Sequence, residues 1–84
     1  MAKYKIEVKR SAQKEIDRLP ALEVKKILER IEDLSNNPRP PGCQKLTEKE
    51  EYRIRRGRYR IIYSIEDFIL YICILKIGHR KDVY

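Results

Sequence analysis

The sequence predicts an α+β fold of order β-α-α-β-β-β, an antiparallel sheet with two helices packed on one face, as a single domain over residues 1–84. Three observations predict it. Lys3 to Lys9 alternates apolar and charged residues, the period of a half-buried strand. Two segments of helical spacing follow, and no strand pattern interrupts them. The remainder carries an alternating hairpin and a final apolar run, with no internal repeat or low-complexity segment.

In the first strand Tyr4, Ile6 and Val8 share one face, opposite Lys3, Lys5, Glu7 and Lys9. Ser11 is placed to cap a short helix, with Glu15 close behind in the first turn. Ala12, Ile16 and Leu19 carry that helix to Leu19, where Pro20 stops it or opens the next one. The long helix is predicted over Leu22 to Asn37, with Leu22, Ile27, Leu28, Ile31 and Leu34 as its core stripe. Asn36-Asn37-Pro38 ends it, and Pro38-Arg39-Pro40-Pro41-Gly42 is a stiff connector. Glu66-Asp67 forms the next turn. Phe68 to Ile77 is apolar on both faces, which predicts a central strand covered on both sides. The first strand is predicted to join the sheet at an edge.

Charged residues make up 39% of the chain and the formal net charge is +7, which points to an anionic partner. RNA, DNA, an acidic protein and an anionic membrane surface all satisfy that condition. No apolar run reaches the ~20 residues of a membrane span. The N-terminal Met1-Ala2-Lys3-Tyr4 lacks the apolar core of a signal peptide, so a cytoplasmic location is expected. Neither helix shows a basic face with exposed large apolar groups, which argues against a membrane partner. Cys43 and Cys73 lack metal-ligand spacing and have only His79 beside them, so neither a metal nor a cofactor is expected. Cys73 is expected to be a small core residue.

The most informative stretch is Tyr52 to Tyr63. Tyr52, Ile54, Tyr59, Ile61 and Tyr63 point one way; Arg53, Arg55, Arg58 and Arg60 point the other. With Arg56-Gly57 as a two-residue loop, Arg55 faces Arg58 and Arg53 faces Arg60. Like charges directly opposite one another destabilise a sheet. Such arginines are either solvated, paired with Glu48, Glu50, Glu51 or Glu66, or held for an anion.

The sequence offers no Ser/His/Asp set, no paired histidines, no phosphate-binding glycine loop and no metal cluster. The groups able to converge are the hairpin arginines and the C-terminal His79, Arg80 and Tyr84. Arginines grip non-bridging phosphate oxygens in bidentate fashion and stabilise the charge added in a transition state. Aromatic rings stack on unpaired bases.

Lys45-Leu46, Tyr52-Arg53-Ile54-Arg55, Tyr59-Arg60-Ile61-Ile62-Tyr63 and Ile77-Gly78-His79-Arg80-Lys81-Asp82-Val83-Tyr84 together resemble the RelE/ParE toxin superfamily, and more narrowly its RelE branch. The resemblance spans nearly the whole chain, and the tail is its most specific part. It implies a metal-independent endoribonuclease, the toxin of a type II toxin–antitoxin pair, cutting mRNA in the ribosomal A site. The 2′-hydroxyl attacks the adjacent phosphate and leaves a 2′,3′-cyclic phosphate or a 3′-phosphate. The family's catalytic positions fall on Arg53, Arg55, Arg60, Arg80 and Tyr84. The first two are lysines in the best-known member and arginines here. Arginine clamps and polarises more readily than it shuttles protons.

On this resemblance Tyr84 is the candidate base, given cationic neighbours to lower a pKa of ~10. Arg60 stabilises the phosphorane, and Arg80 or, alternatively, His79 serves the leaving 5′-oxygen. Lys45, Arg56, Arg58 and Lys81 are expected RNA contacts. The implied partners are the 70S ribosome, its mRNA and a cognate RelB-like or other acidic antitoxin. The chain is expected to be monomeric when free. The resemblance to the superfamily also leaves open a ParE-like toxin acting on gyrase, and the charge pattern alone fits a non-catalytic RNA- or DNA-binding module.

Overall fold

A computed structural model describes residues 3–46 and 48–79. The elements are β1 (Lys5–Val8), α1 (Arg10–Asp17), α2 (Ala21–Leu34), β2 (Gln44–Lys45), β3 (Glu51–Arg56), β4 (Tyr59–Glu66) and β5 (Tyr71–His79), with a short 3-10 turn over Asp67–Ile69. Among the described residues the sheet order is β1-β5-β4-β3-β2. The α+β class, the helix pair and the edge position of β1 are as the sequence predicts.

Two features differ from an all-antiparallel β-α-α-β-β-β sheet. The helix pair carries the chain across the sheet, so β1 returns beside β5 in parallel, while β2 to β5 form an antiparallel meander. The sheet is therefore mixed. The additional strand β2 is only two residues long and pairs with Tyr52 and Arg53, too short to leave a period in the sequence.

The core lies between the helices and one face of the sheet. Ala12 and Ile16 from α1 and Ile27, Ile31 and Leu34 from α2 pack with Tyr52, Ile54, Ile61, Tyr63, Ile65, Ile72, Ile74 and Ile77. Each fully buried isoleucine contributes about 2 kcal/mol of transfer free energy. Leu22 and Leu28 do not belong to the stripe; they stand 67% and 45% exposed. Val24 takes their place, because Val24, Ile27, Ile31 and Leu34 recur at the spacing of a single helix face. α2 thus does carry exposed large apolar groups, contrary to expectation.

Helix ends also shift. α1 begins one residue before Ser11, with Lys9 in the cap position and no side-chain cap. It stops at Asp17, and Pro20 occupies the cap position of α2. α2 ends at Leu34, after which the amides of Asn36 and Asn37 both donate to the Asp33 carbonyl at 3.2 Å. Glu15 performs a different task from dipole compensation, described below.

The last strand begins at Tyr71, not Phe68. Asp67–Ile69 turns back, Leu70 adopts a left-handed φ of 51°, and Phe68 is fully exposed. A bulge between Ile62 and Tyr63 then skips Leu75: Ile62 pairs with Lys76, but Tyr63 pairs with Ile74. The extra residue inverts the alternation, so Ile72, Ile74 and Ile77 all reach the core. β5 is interior, lying between β1 and β4.

Candidate functional site

The hairpin loop is Gly57-Arg58, one residue later than the sequence suggests. Gly57 has φ 61° and takes the first loop position, where a type II′ turn places its glycine. The register follows from that shift. Arg55 pairs with Arg60, Arg53 pairs with Ile62, and Arg56 pairs with Tyr59. Arg58 is in the turn and faces no arginine.

Alternation then sorts the side chains. Tyr52, Ile54, Tyr59, Ile61 and Tyr63 share the helix side, as expected. Arg53, Arg55 and Arg60 share the opposite, open face. In the next strand Gly78 is the partner of Arg60 and presents no side chain there. Arg56 belongs to the helix side and lines a cleft with Pro20, Glu23, Lys26 and Tyr59.

The three arginines of the open face sense each other. Arg53 is held below the ordinary arginine range, first by loss of hydration and then by the charges of Arg55 and Arg60. It remains a cation at any physiological pH. Its buried Nε has no hydrogen-bond acceptor among the described residues, while one terminal N–H donates to Gln44 Oε1. Among the described residues, no carboxylate forms an ion pair with Arg53 or Arg55.

Two nearby acids, Glu50 and Asp67, bond to other groups. Glu50 pairs with Lys45 at 3.3 Å and Arg39 at 3.4 Å, and accepts from the Tyr52 hydroxyl at 2.5 Å. Those bonds, Tyr52 and Lys45 foremost, hold its carboxyl below the usual range. Arg39 also donates two bonds to Asp67, at 2.9 and 3.2 Å, and lies over the Tyr52 ring. This network ties the connector to the far end of the sheet. Lys45, expected to contact RNA, is part of it.

His79 pairs with Tyr59 in the ladder, and its ring meets Tyr59 edge-on with centroids 6.0 Å apart. It is thus in the row of the helix side, and Gly78 is in the row of Arg60. Arg80, Lys81 and Tyr84 lie outside the described residues. No group of three or more histidines, cysteines or acids able to hold a metal occurs among the described residues. No described helix is long and apolar enough to cross a membrane.

Sequence reasoning missed Arg30, Gly42 and Gln44. They line a cleft with Arg53, Arg55 and Pro41. Arg30 sits among the charged residues of α2, where nothing in the pattern separates it from its neighbours. The Pro41-Gly42 break before Gln44 was the one available signal.

The whole chain supports a family assignment. The family described as the ParE toxin of type II toxin–antitoxin systems (parDE) matches residues 6–84. The chain belongs to the RelE/ParE toxin superfamily. It is a toxin of the type II toxin–antitoxin class. This toxin is 34% identical to RelE1 of Methanocaldococcus jannaschii over 88 residues, covering 98% of this chain and 96% of that one. It is 30% identical to toxin RelG of Mycobacterium tuberculosis over 83 residues, covering 96% and 95%. The archaeal RelE–RelB complex from Pyrococcus horikoshii OT3 contains a chain that superposes with a TM-score of 0.85 at 30% identity, covering 96% of the toxin and 99% of that chain.

Proposed function

We propose that this toxin is an endoribonuclease that cuts mRNA in the ribosomal A site and is held inactive by a RelB-type antitoxin. One observation carries the reading: Arg53, Arg55 and Arg60 share one open sheet face, and among the described residues no carboxylate pairs with Arg53 or Arg55, Glu50 being paired with Arg39 and Lys45 instead. The RelE names of the relatives and the RelE–RelB complex support it.

On this reading Arg53 and Arg55 clamp the non-bridging oxygens of the scissile phosphate. Arg60, opposite the bare Gly78, neutralises the charge added when the 2′-oxygen bonds to phosphorus. Tyr84 takes the 2′-hydroxyl proton, and the 5′-oxygen leaves as the 2′,3′-cyclic phosphate closes. For that leaving oxygen Arg80 is favoured over His79, because His79 packs against Tyr59 in the helix-side row. An arginine stabilises charge there but releases its proton poorly. The site thus lacks a strong acid–base pair and depends on holding the RNA in a near-attack geometry, which the ribosome can impose.

Inducible expression followed by primer extension on a cellular mRNA tests this. Codon-phased cuts that vanish in Arg60→Ala support it; growth arrest without cuts contradicts it. The ParE description of the matching family favours a second reading, gyrase inhibition. Loss of gyrase supercoiling in the presence of purified toxin would select that reading.

A further inference from the structure

At the β2 edge of the sheet is an open cleft of about 320 Å³, lined by Arg30, Pro41, Gly42, Gln44, Arg53 and Arg55. Its origin is local. Gln44 pairs with Arg53, but the chain before it cannot extend β2 along β3. Pro40 and Pro41 lack an amide proton, and the Cys43 amide turns back to the Pro40 carbonyl at 3.1 Å. Gly42, between them, has a left-handed φ of 90°. The connector therefore swings off the sheet and leaves the strip beside Arg55 uncovered by any described strand. Arg30 enters this gap from α2.

The lining is rich in donors and lacks a carboxylate. Three guanidinium groups border the cleft, and among the described residues none of the three is ion-paired. Gln44 Oε1 already accepts from Arg53, so its amide nitrogen is left to donate. A Cβ at Gly42 would meet nothing within 4 Å, so the backbone there is open to an incoming group. The volume exceeds that of a bare phosphate and falls in the range of small-ligand pockets.

We propose that this cleft is a subsite for the nucleotide flanking the scissile phosphate, with Arg30 and Gln44 holding the next phosphodiester of a single-stranded RNA. The proposal rests on the reading of the open arginine face as the RNA site. It extends that site around the sheet edge to the helix layer, and Arg30 becomes a binding residue separate from the three hairpin arginines.

Binding of fluorescent RNA tests it, measured by anisotropy over a salt series. The probes are a dinucleotide with only the scissile phosphate and an octanucleotide, both 2′-O-methylated to prevent cleavage. Arg30→Gln should weaken octanucleotide binding by about tenfold, the loss of one charge-assisted contact. It should also reduce the salt slope by about 0.7 and leave dinucleotide binding unchanged. Arg30→Lys, which keeps the charge, should retain most of the slope. Equal loss on both probes, or none on the octanucleotide, overturns the subsite. If Arg60→Ala still weakens both probes in that case, the underlying reading stands. Absence of salt-dependent RNA binding by the unmodified toxin overturns both.

Discussion

Arg55 and Arg60 are direct partners across the β3–β4 ladder. At ~4 Å two like charges repel by about 1 kcal/mol even in water, and more as water is excluded. Arg53, two residues along the same face, adds a third positive charge, and its own pKa is lowered first by lost hydration and then by both neighbours. Positive charge is concentrated here at a cost to folding, a cost that a bound anion would relieve.

The first prediction follows from that cost. Arg55→Gln should stabilise the free toxin by about 0.5 kcal/mol, raising Tm by roughly 2–4 °C in low salt. The gain should shrink in high salt, where screening already relieves the repulsion. Thermal unfolding of the two proteins at two ionic strengths checks this.

The second concerns Glu15. β1 ends at Val8, so no strand covers the outer edge of β5 beyond Ile74. Glu15 takes over: its Oε1 accepts the Ile77 amide proton at 3.1 Å, while Oε2 lies 3.6 Å from Lys76 Nζ. This bond supports the segment just after the bulge, from which the tail departs. Glu15→Ala leaves the Ile77 amide without its acceptor and should cost about 1–3 kcal/mol. Glu15→Gln keeps an acceptor oxygen and should cost less than half as much. Chemical denaturation of both variants compares them.

The third is a pH dependence. Asp67 is held below the usual carboxylate range, first by its bonds from Arg39 and then by the Tyr4 hydroxyl at 2.6 Å. Glu50 is lowered as well. A depressed folded-state pKa gives stability that is complete above the unfolded value of ~4 and lost as pH falls through the folded value. Tm should therefore drop on acidification below about pH 4. Asp67→Asn should start from a lower Tm at pH 7 and lose less on acidification. Parallel slopes for the two proteins would count against the Arg39–Asp67 link.

Much of this was legible in the sequence because alternation is a strong constraint. The faces of Tyr52, Ile54, Ile61 and Tyr63 against Arg53, Arg55 and Arg60 follow from period two alone. The register did not, since Gly57 can serve as either loop residue and only the folded pairing selects the first position. The change of face from Ile74 to Ile77 was hidden because Phe68 to Leu75 is apolar on both faces, and Lys76, which takes the parity of Ile72 and Ile74, was the one mark of the bulge in the pattern. Leu22 and Leu28 have the composition of core residues, but their angular position on α2 removes them from it. Arg30 joins the arginine cleft through tertiary packing, which no local pattern encodes.

The most direct test of the central claim uses purified toxin, ribosomes stalled on a defined mRNA with an empty A site, and the same mRNA without ribosomes. The account predicts rapid cleavage in the A-site codon with a 2′,3′-cyclic phosphate end, weak cleavage of the free RNA, and a loss of roughly 10²-fold or more in Arg60→Ala. Equal cleavage by Arg60→Ala, or equal rates on free and ribosome-bound RNA, would contradict it.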